Sequence, residues 1–428
     1  MSESVSGSRS PGLRLPDAVI PLRISSNAFW LGGMALAFLC VVVIVGSPFC
    51  GFVDFPQFWS AGQTVGTPDL LDPVRHMDWQ SAHGVSPGFF VYPAGSAWLF
   101  LPFAATSLTV GFWLHAIVMT GLVAAAGVLG ARVYGLDRRV GLVAAFAWAP
   151  CMASAITGQN AALGLVLSLV AIEGLRRDND DLAGFGVGLL LYKPTLALPL
   201  IGLLLLRRRW RALLIAIAFG GGWYLAGVAA TAGDWSWPRL WLSAMAGYYA
   251  PDTAANVVRT ISIPGLLQGH GVPSLVTSAV VVAVLALAIP RLLRSPMAEA
   301  GAGACLVGLA ISPHALNYEG ALILPILMWA LGATATGIAE PVRTRLVVAA
   351  YLVAPEYLVS ETVGLSSLVV VTAVAAVIWI SGWHRIATPR AGGSATTERG
   401  GPDETPSRLT TVALSAPASP PPRPGPVP

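Results

Sequence analysis

Charge is what this sequence has least of. Only 11% of its 428 residues are Asp, Glu, Lys or Arg, against about one-quarter in an ordinary soluble domain, and 55% are hydrophobic. So few charges cannot clothe a water-soluble fold of this size. Cysteine is also scarce: Cys40, Cys50, Cys151 and Cys305 are scattered, with no C-x-x-C spacing and no partner histidine, which excludes a disulfide framework and a thiolate metal centre. There is no H-E-x-x-H, no Walker loop and no G-x-G-x-x-G following a strand, so metal, ATP and NAD all lack a binding motif and no cofactor is expected. The net charge of +4 does not point to nucleic acid, because the arginines form short clusters at the ends of apolar runs and report topology instead.

What the chain has is apolar length. A hydrocarbon core of ~30 Å needs about 20 apolar residues per helix, and runs of that size recur from Ala28 to beyond Val374. The pattern predicts an all-α, polytopic transmembrane bundle of about ten crossings with added re-entrant or interfacial helices. The 14 tryptophans, among them Trp30, Trp98, Trp235 and Trp379, suit anchoring at the membrane interface.

Residues 1–27 are polar and carry Arg9, Arg14 and Arg23, and the run from Ala28 to about Pro48 lacks a small-residue cleavage site, so it reads as a retained first span. With the N-terminus cytoplasmic by the positive-inside rule, residues 51–93 form an external loop holding Asp54, Asp69, Asp72 and Asp78. Residues 94–106 predict a short re-entrant or interfacial helix and about 109–131 a span returning to Arg132, Arg138 and Arg139. Block 140–175, interrupted at Thr157-Gly158-Gln159-Asn160, reads as a hairpin with an external turn. Leu182–Leu206 lies between two basic clusters, a conflict resolved by two half-helices meeting at Tyr192-Lys193-Pro194. Spans follow at 212–231 and 274–294 around a second external loop, 232–273. Further blocks at about 299–313, 317–336, 344–359 and 364–384 keep Arg343, Arg345, Arg385 and Arg390 inside. The membrane domain thus covers 28–384, and the Pro-rich segment 385–428 predicts a disordered cytoplasmic tail. Both termini are then cytoplasmic in a multi-pass protein of the inner (plasma) membrane.

This topology gathers the polar features at the outer ends of the helices, and costly ionisable groups converging there define a candidate cavity. Asp54, set among Phe55, Phe58 and Trp59, is either a desolvated carboxylate suited to general-base work or a helix-end acid in water. Lys193 either snorkels to an interface or meets a phosphate. Arg259 either binds phosphate through its guanidinium or is a solvated loop residue. His314 shares its turn with Asn317, Tyr318 and Glu319, which favours a cavity role. Tyr92, Trp59, Gln159, Asn160, Asn317 and Glu319 complete the expected lining.

The order of Asp54-Phe55 with Phe58-Trp59, Leu71-Asp72-Pro73, Phe90-Val91-Tyr92-Pro93, Gly158-Gln159-Asn160, Lys193-Pro194-Thr195, Arg207-Arg208-Arg209-Trp210 and Ser312-Pro313-His314 resembles glycosyltransferase family 87. This group of GT-C type membrane enzymes includes polyprenyl-phosphomannose-dependent α-mannosyltransferases. The resemblance runs from about Ala28 to Leu331. It implies inverting transfer of a hexose, mannose first, from a polyprenyl-phosphate sugar to a lipid or glycan hydroxyl on the extracytoplasmic side, with Asp54 as base and His314 beside the donor phosphate or the acid. Phe58-Trp59 stands where the family commonly has tyrosines, and Ala94 follows Pro93 where a second proline is frequent, so acceptor preference does not carry over. A lipid-linked-sugar flippase shares the broken helices, but transporters often show two related halves and no internal repeat is evident here. Arabinofuranosyl and glucosyl transfer remain alternatives within the same fold.

Overall fold

The computed structural model describes residues 54–332, 340–353 and 367–381. The expected first span, the N-terminal segment, Gly51–Val53, Arg385, Arg390 and the Pro-rich tail lie outside these residues. All described residues fall in one contact unit, Met1–Ala387. Among them the secondary structure is α- and 3-10 helix with no strand; a single isolated antiparallel bridge joins Thr260 to Leu316.

Two short helices come first, α1 (Phe55–Thr64) and α2 (Pro73–Ala82). The 94–106 stretch is a 3-10 segment, Ala94–Leu99, and one α turn, Leu101–Ala104, rather than a continuous interfacial helix. Next is α3 (Leu108–Tyr134), started by the Ser107 hydroxyl accepting from Val110 N and stopped by Gly135 at φ +69°. One side of α3 buries Phe112, His115, Met119 and Val123, while Trp113 and Ile117 stand 61% and 68% exposed on the other. Large apolar side chains so exposed along a 27-residue helix belong against lipid, not water.

The predicted hairpin is present, but its first arm is broken. Helices α4 (Arg138–Ala147) and α5 (Ala149–Ile156) meet at 64° at Trp148, where Pro150 starts the second. The Trp148 indole donates to the Gly320 carbonyl at 2.8 Å and locks the bend to a distant segment. After the Gly158 turn, α6 (Ala161–Arg176) returns. The Leu182–Leu206 block is indeed two helices, α7 (Asp180–Leu190) and α8 (Pro194–Leu206), because Pro194 has no N–H to continue a ladder and is well placed in the first turn of a new helix.

Helix α9 (Trp210–Ala230) precedes the 232–273 segment, expected to be external, which folds as α10 (Trp237–Ala255), a 3-10 turn Val257–Arg259 and α11 (Ile263–Gly269). Then follow α12 (Ser274–Arg294), α13 (Met297–Ile311), a 3-10 helix Asn317–Ile323 leading into α14 (Leu324–Leu331), α15 (Glu340–Val353) and α16 (Ser367–Ser381). Among the described residues α3, α9 and α12 are long and apolar enough to cross a membrane, and the α4–α5 pair, bent by 64°, is either a broken fourth span or a re-entrant loop. Shorter apolar helices α8, α13 and Asn317–Leu331 pack among them. This is an all-helical membrane protein with three to four such spans in its described part, fewer than the ten crossings expected from hydropathy.

The basic clusters assemble at one end of the bundle. Arg132, Arg176 and Arg177 converge on the buried carboxylate of Glu173 at 3.1, 2.7 and 2.6 Å. Arg209 pairs with Asp178 and Asp180, Arg211 with Asp181, and the Arg207 guanidinium donates to the carbonyls of Leu292 and Ser295. Clusters far apart in the chain therefore share one side, as their alternation along the sequence anticipates.

Candidate active site

The polar residues meet elsewhere, in a cavity of about 240 Å³. Asp54, Tyr92, Gln159, Arg259, His314 and Asn317 all line it, joined by Gln57, Phe58, Tyr248, Asp252, Asn256 and Tyr318.

Asp54 is the N-cap residue of α1, yet its carboxylate makes no capping hydrogen bond and is left for the cavity. It accepts from Gln57 Nε2 at 3.3 Å and is hydrogen-bonded by Gln159. Part of its surface is open to the cavity while protein crowds the rest. Burial raises its pKa above the ordinary carboxylate range; Gln159 and the charges of Arg259 and Lys193 pull it partly back, and Asp252 pushes it up. Its position depends on Gly158, which adopts φ +82° and packs so closely on Phe55 that a Cβ there would lie 2.5 Å from the Phe55 Cβ.

The 237–269 helical segment and the 312–319 turn are tied by backbone. Ile261 N donates to the Ala315 carbonyl at 2.9 Å, Thr260 bridges Leu316, and the Tyr249 hydroxyl donates to the Pro313 carbonyl at 2.6 Å. These links bring Arg259 and His314 to the same cavity. Arg259 Nη1 lies 3.4 Å from Asn256 Oδ1. His314 Nδ1 lies 3.0 Å from Asp252 Oδ2, and the Tyr248 hydroxyl donates to Asp252 Oδ1 at 2.5 Å. Burial and this carboxylate raise the Tyr248 pKa, so the phenol remains a donor. Asp252 and Tyr248 were not singled out from sequence. They sit on one face of α10 at i and i+4, and the only signal was an acid following two tyrosines in a segment taken for a loop.

Four expected site residues do not line this cavity: Trp59, Asn160 and Glu319 of the lining, and Lys193, expected at the donor phosphate. Trp59 turns away on α1, donating to the Thr106 carbonyl at 3.1 Å, and its neighbour Phe58 faces the cavity instead, since adjacent helical residues point ~100° apart. Asn160 is buried beneath the site, with Oδ1 3.0 Å from His115 Nε2 and its carbonyl accepting from the Tyr192 hydroxyl at 2.9 Å. Lys193 and Glu319 form an ion pair behind Tyr92 and Tyr318, with side chains 13% and 1% exposed. The Lys193 ammonium lies 5.0 Å and 5.5 Å from the centroids of the Tyr92 and Tyr318 rings and 3.4 Å from the Tyr92 hydroxyl.

Lys193 also reaches a second pocket of about 190 Å³, which shares Tyr92, Tyr248, Asp252 and His314 with the first and has a largely apolar wall including Pro93, Trp241, Leu242 and Met245. Among the described residues no three His, Cys, Asp or Glu side chains converge as a metal ligand set.

The described residues thus form a helical membrane bundle with an acid, an arginine and a histidine in one polar cavity. The sequence pattern of glycosyltransferase family 87 matches residues 90–313, just over half of the chain, and the protein belongs to that family. It is therefore a glycosyltransferase. The matched region holds Tyr92, Gln159, Lys193, Asp252 and Arg259; Asp54 precedes it and His314 follows it directly. Neither a curated protein nor a solved structure matches the chain.

Proposed function

We propose that the protein transfers a hexose, mannose in the first instance, from a polyprenyl-phosphate sugar to a hydroxyl of a lipid or glycan acceptor on the extracytoplasmic side, with inversion at the anomeric carbon. The observation that carries this reading is Asp54: an uncapped carboxylate at a polar cavity, made more basic by burial and facing the same space as Arg259 and His314. Asp54 takes the proton of the acceptor hydroxyl as its oxygen bonds to the anomeric carbon. The bond from that carbon to the phosphate oxygen breaks, and its electron pair leaves with the polyprenyl phosphate. A positioned base contributes ~10²- to 10⁴-fold to such a step. Arg259 and His314 supply the donors that stabilise the departing phosphate. Lys193, its charge engaged by Glu319, supports the wall under Tyr92 and adds positive potential from behind.

The donor's two-part chemistry suits the two spaces, which share Tyr92, Tyr248, Asp252 and His314 in their walls. The polar cavity is smaller than the ~300 Å³ at which pockets for whole drug-sized ligands begin, so it suits the sugar and phosphate, and the apolar pocket alongside suits the first isoprene units. Beyond Tyr248 a groove of about 770 Å³ between α2 and α10 gives an acceptor room to approach.

The test is transfer by purified protein from synthetic polyprenyl-phosphate mannose, with arabinofuranose and glucose donors alongside, to a panel of lipid and glycan acceptors. Wild type transfers and Asp54→Asn binds donor without turnover. If neither protein transfers from any of these donors while reconstituted vesicles translocate a lipid-linked sugar, the reading is wrong and the protein is a transporter.

A further inference from the structure

Asp252 divides its carboxylate between two tasks. Oδ1 accepts from the Tyr248 hydroxyl at 2.5 Å and from Asn256 Nδ2 at 2.9 Å, so this oxygen is held by its own helix. Oδ2 is shut off from water, has no hydrogen-bond partner among the described residues, and lies within ion-pair distance of His314, 3.0 Å from its Nδ1. An acid this buried (9% exposed) needs polar or charged partners, and the one facing Oδ2 is the histidine. His314, on a different segment, is kept in register with α10 by the Tyr249 contact to Pro313, and its own turn is braced by Ser312 Oγ donating to the His314 carbonyl at 2.8 Å.

We propose that Asp252 is a positioning residue for His314: it accepts a hydrogen bond from Nδ1–H, fixes the ring's orientation, and leaves Nε2 as the nitrogen that meets the ligand. The inference rests on the transfer reading above. A ring that gives Nδ1–H to a carboxylate and Nε2–H to the phosphate is an imidazolium, and Asp252 supplies its counter-charge beside a leaving group that gains negative charge as the glycosidic bond breaks. Tyr248 and Asn256 hold the carboxylate so that it does not swing toward Arg259, which lines the same cavity. The contact tightens as the transition state forms, so the effect falls on kcat rather than on donor affinity.

The experiment compares wild type, Asp252→Asn, Asp252→Glu, His314→Ala and the Asp252→Asn/His314→Ala pair in sugar transfer, with thermal melting of each variant as the folding control. Asp252→Asn keeps the shape and an acceptor for Tyr248 and is expected to lower kcat by ~10- to 100-fold, the scale on which a histidine's orienting partner acts elsewhere, with little change in donor KM. Asp252→Glu restores the charge and part of the rate. In the His314→Ala background Asp252→Asn has almost no further effect, because it acts through the ring. A full Asp252→Asn loss in that background, or unchanged kcat with intact His314, overturns the inference alone. A wild type that transfers nothing from the polyprenyl donors sinks the transfer reading and takes this one with it.

Discussion

Substituting Glu319 by Gln isolates what the buried ion pair contributes. Glu319 Oε2 accepts from the Leu316 backbone N–H at 3.1 Å, an acceptor role the Gln amide oxygen can keep, so the change removes charge more than shape. It strands the Lys193 ammonium, 13% exposed, with only the Tyr92 hydroxyl and two tyrosine rings around it. Breaking a buried pair by removing one partner costs about 3–5 kcal/mol, and cation–π contacts of ~0.5–2 kcal/mol were present before and do not make up the loss. At ~2 °C per kcal/mol, the low end of the scale because the chain is large, purified Glu319→Gln is expected to melt about 6–10 °C below wild type at one fixed scan rate. The pair Lys193→Met/Glu319→Gln leaves no orphaned charge and recovers most of that loss, since an apolar side chain of similar length replaces the ammonium stem. Melting of Glu319→Gln within a degree or so of wild type, or a double variant no better than the single, would refute the reasoning. The double variant also bears on the donor: one that melts normally and transfers sugar normally frees Lys193 of any phosphate contact, and one that melts normally but is inactive assigns it one.

Two further outcomes follow from Asp54 and its support. Because the base works ionised and burial raises the Asp54 pKa, kcat/KM falls on acidification with a midpoint above the usual ~3.9 of an aspartate; Arg259→Gln removes a charge that lowers this pKa and moves the acid limb to still higher pH. An acid limb at the ordinary carboxylate value, or one that Arg259→Gln leaves in place, counts against Asp54 as the base. Gly158→Ala combines a left-handed backbone with a clash on Phe55 and is expected to cost ~1–3 kcal/mol and to depress transfer further by displacing Asp54. Gly66→Ala, at φ +83° but with open space around its Cβ, is the control that shares the strain and keeps activity.

Hydropathy alone determined the membrane class and the helical framework. The expected spans near 109–131, 212–231 and 274–294 correspond to Leu108–Tyr134, Trp210–Ala230 and Ser274–Arg294, because in hydrocarbon a long apolar run has to satisfy its own backbone hydrogen bonds and does so as a helix. The breaks at Gly158 and Pro194 were equally legible, since each residue carries its backbone constraint with it wherever it is placed. Much of the candidate site was legible too: Asp54, Tyr92, Gln159, Arg259, His314 and Asn317 stand out as polar groups at helix ends, and they do meet. The composition of 232–273 suggested a loop because its helices gain their stability from packing on the bundle rather than from a long apolar run of their own. For the same reason sequence gave no role to Asp252 or Tyr248. Which face of α1 turns inward, Phe58 rather than Trp59, and whether Lys193 is spent on Glu319 or left for a ligand, are set by contacts between segments far apart in the chain. Charges find their partners in space, and only the tertiary structure brings those partners within reach.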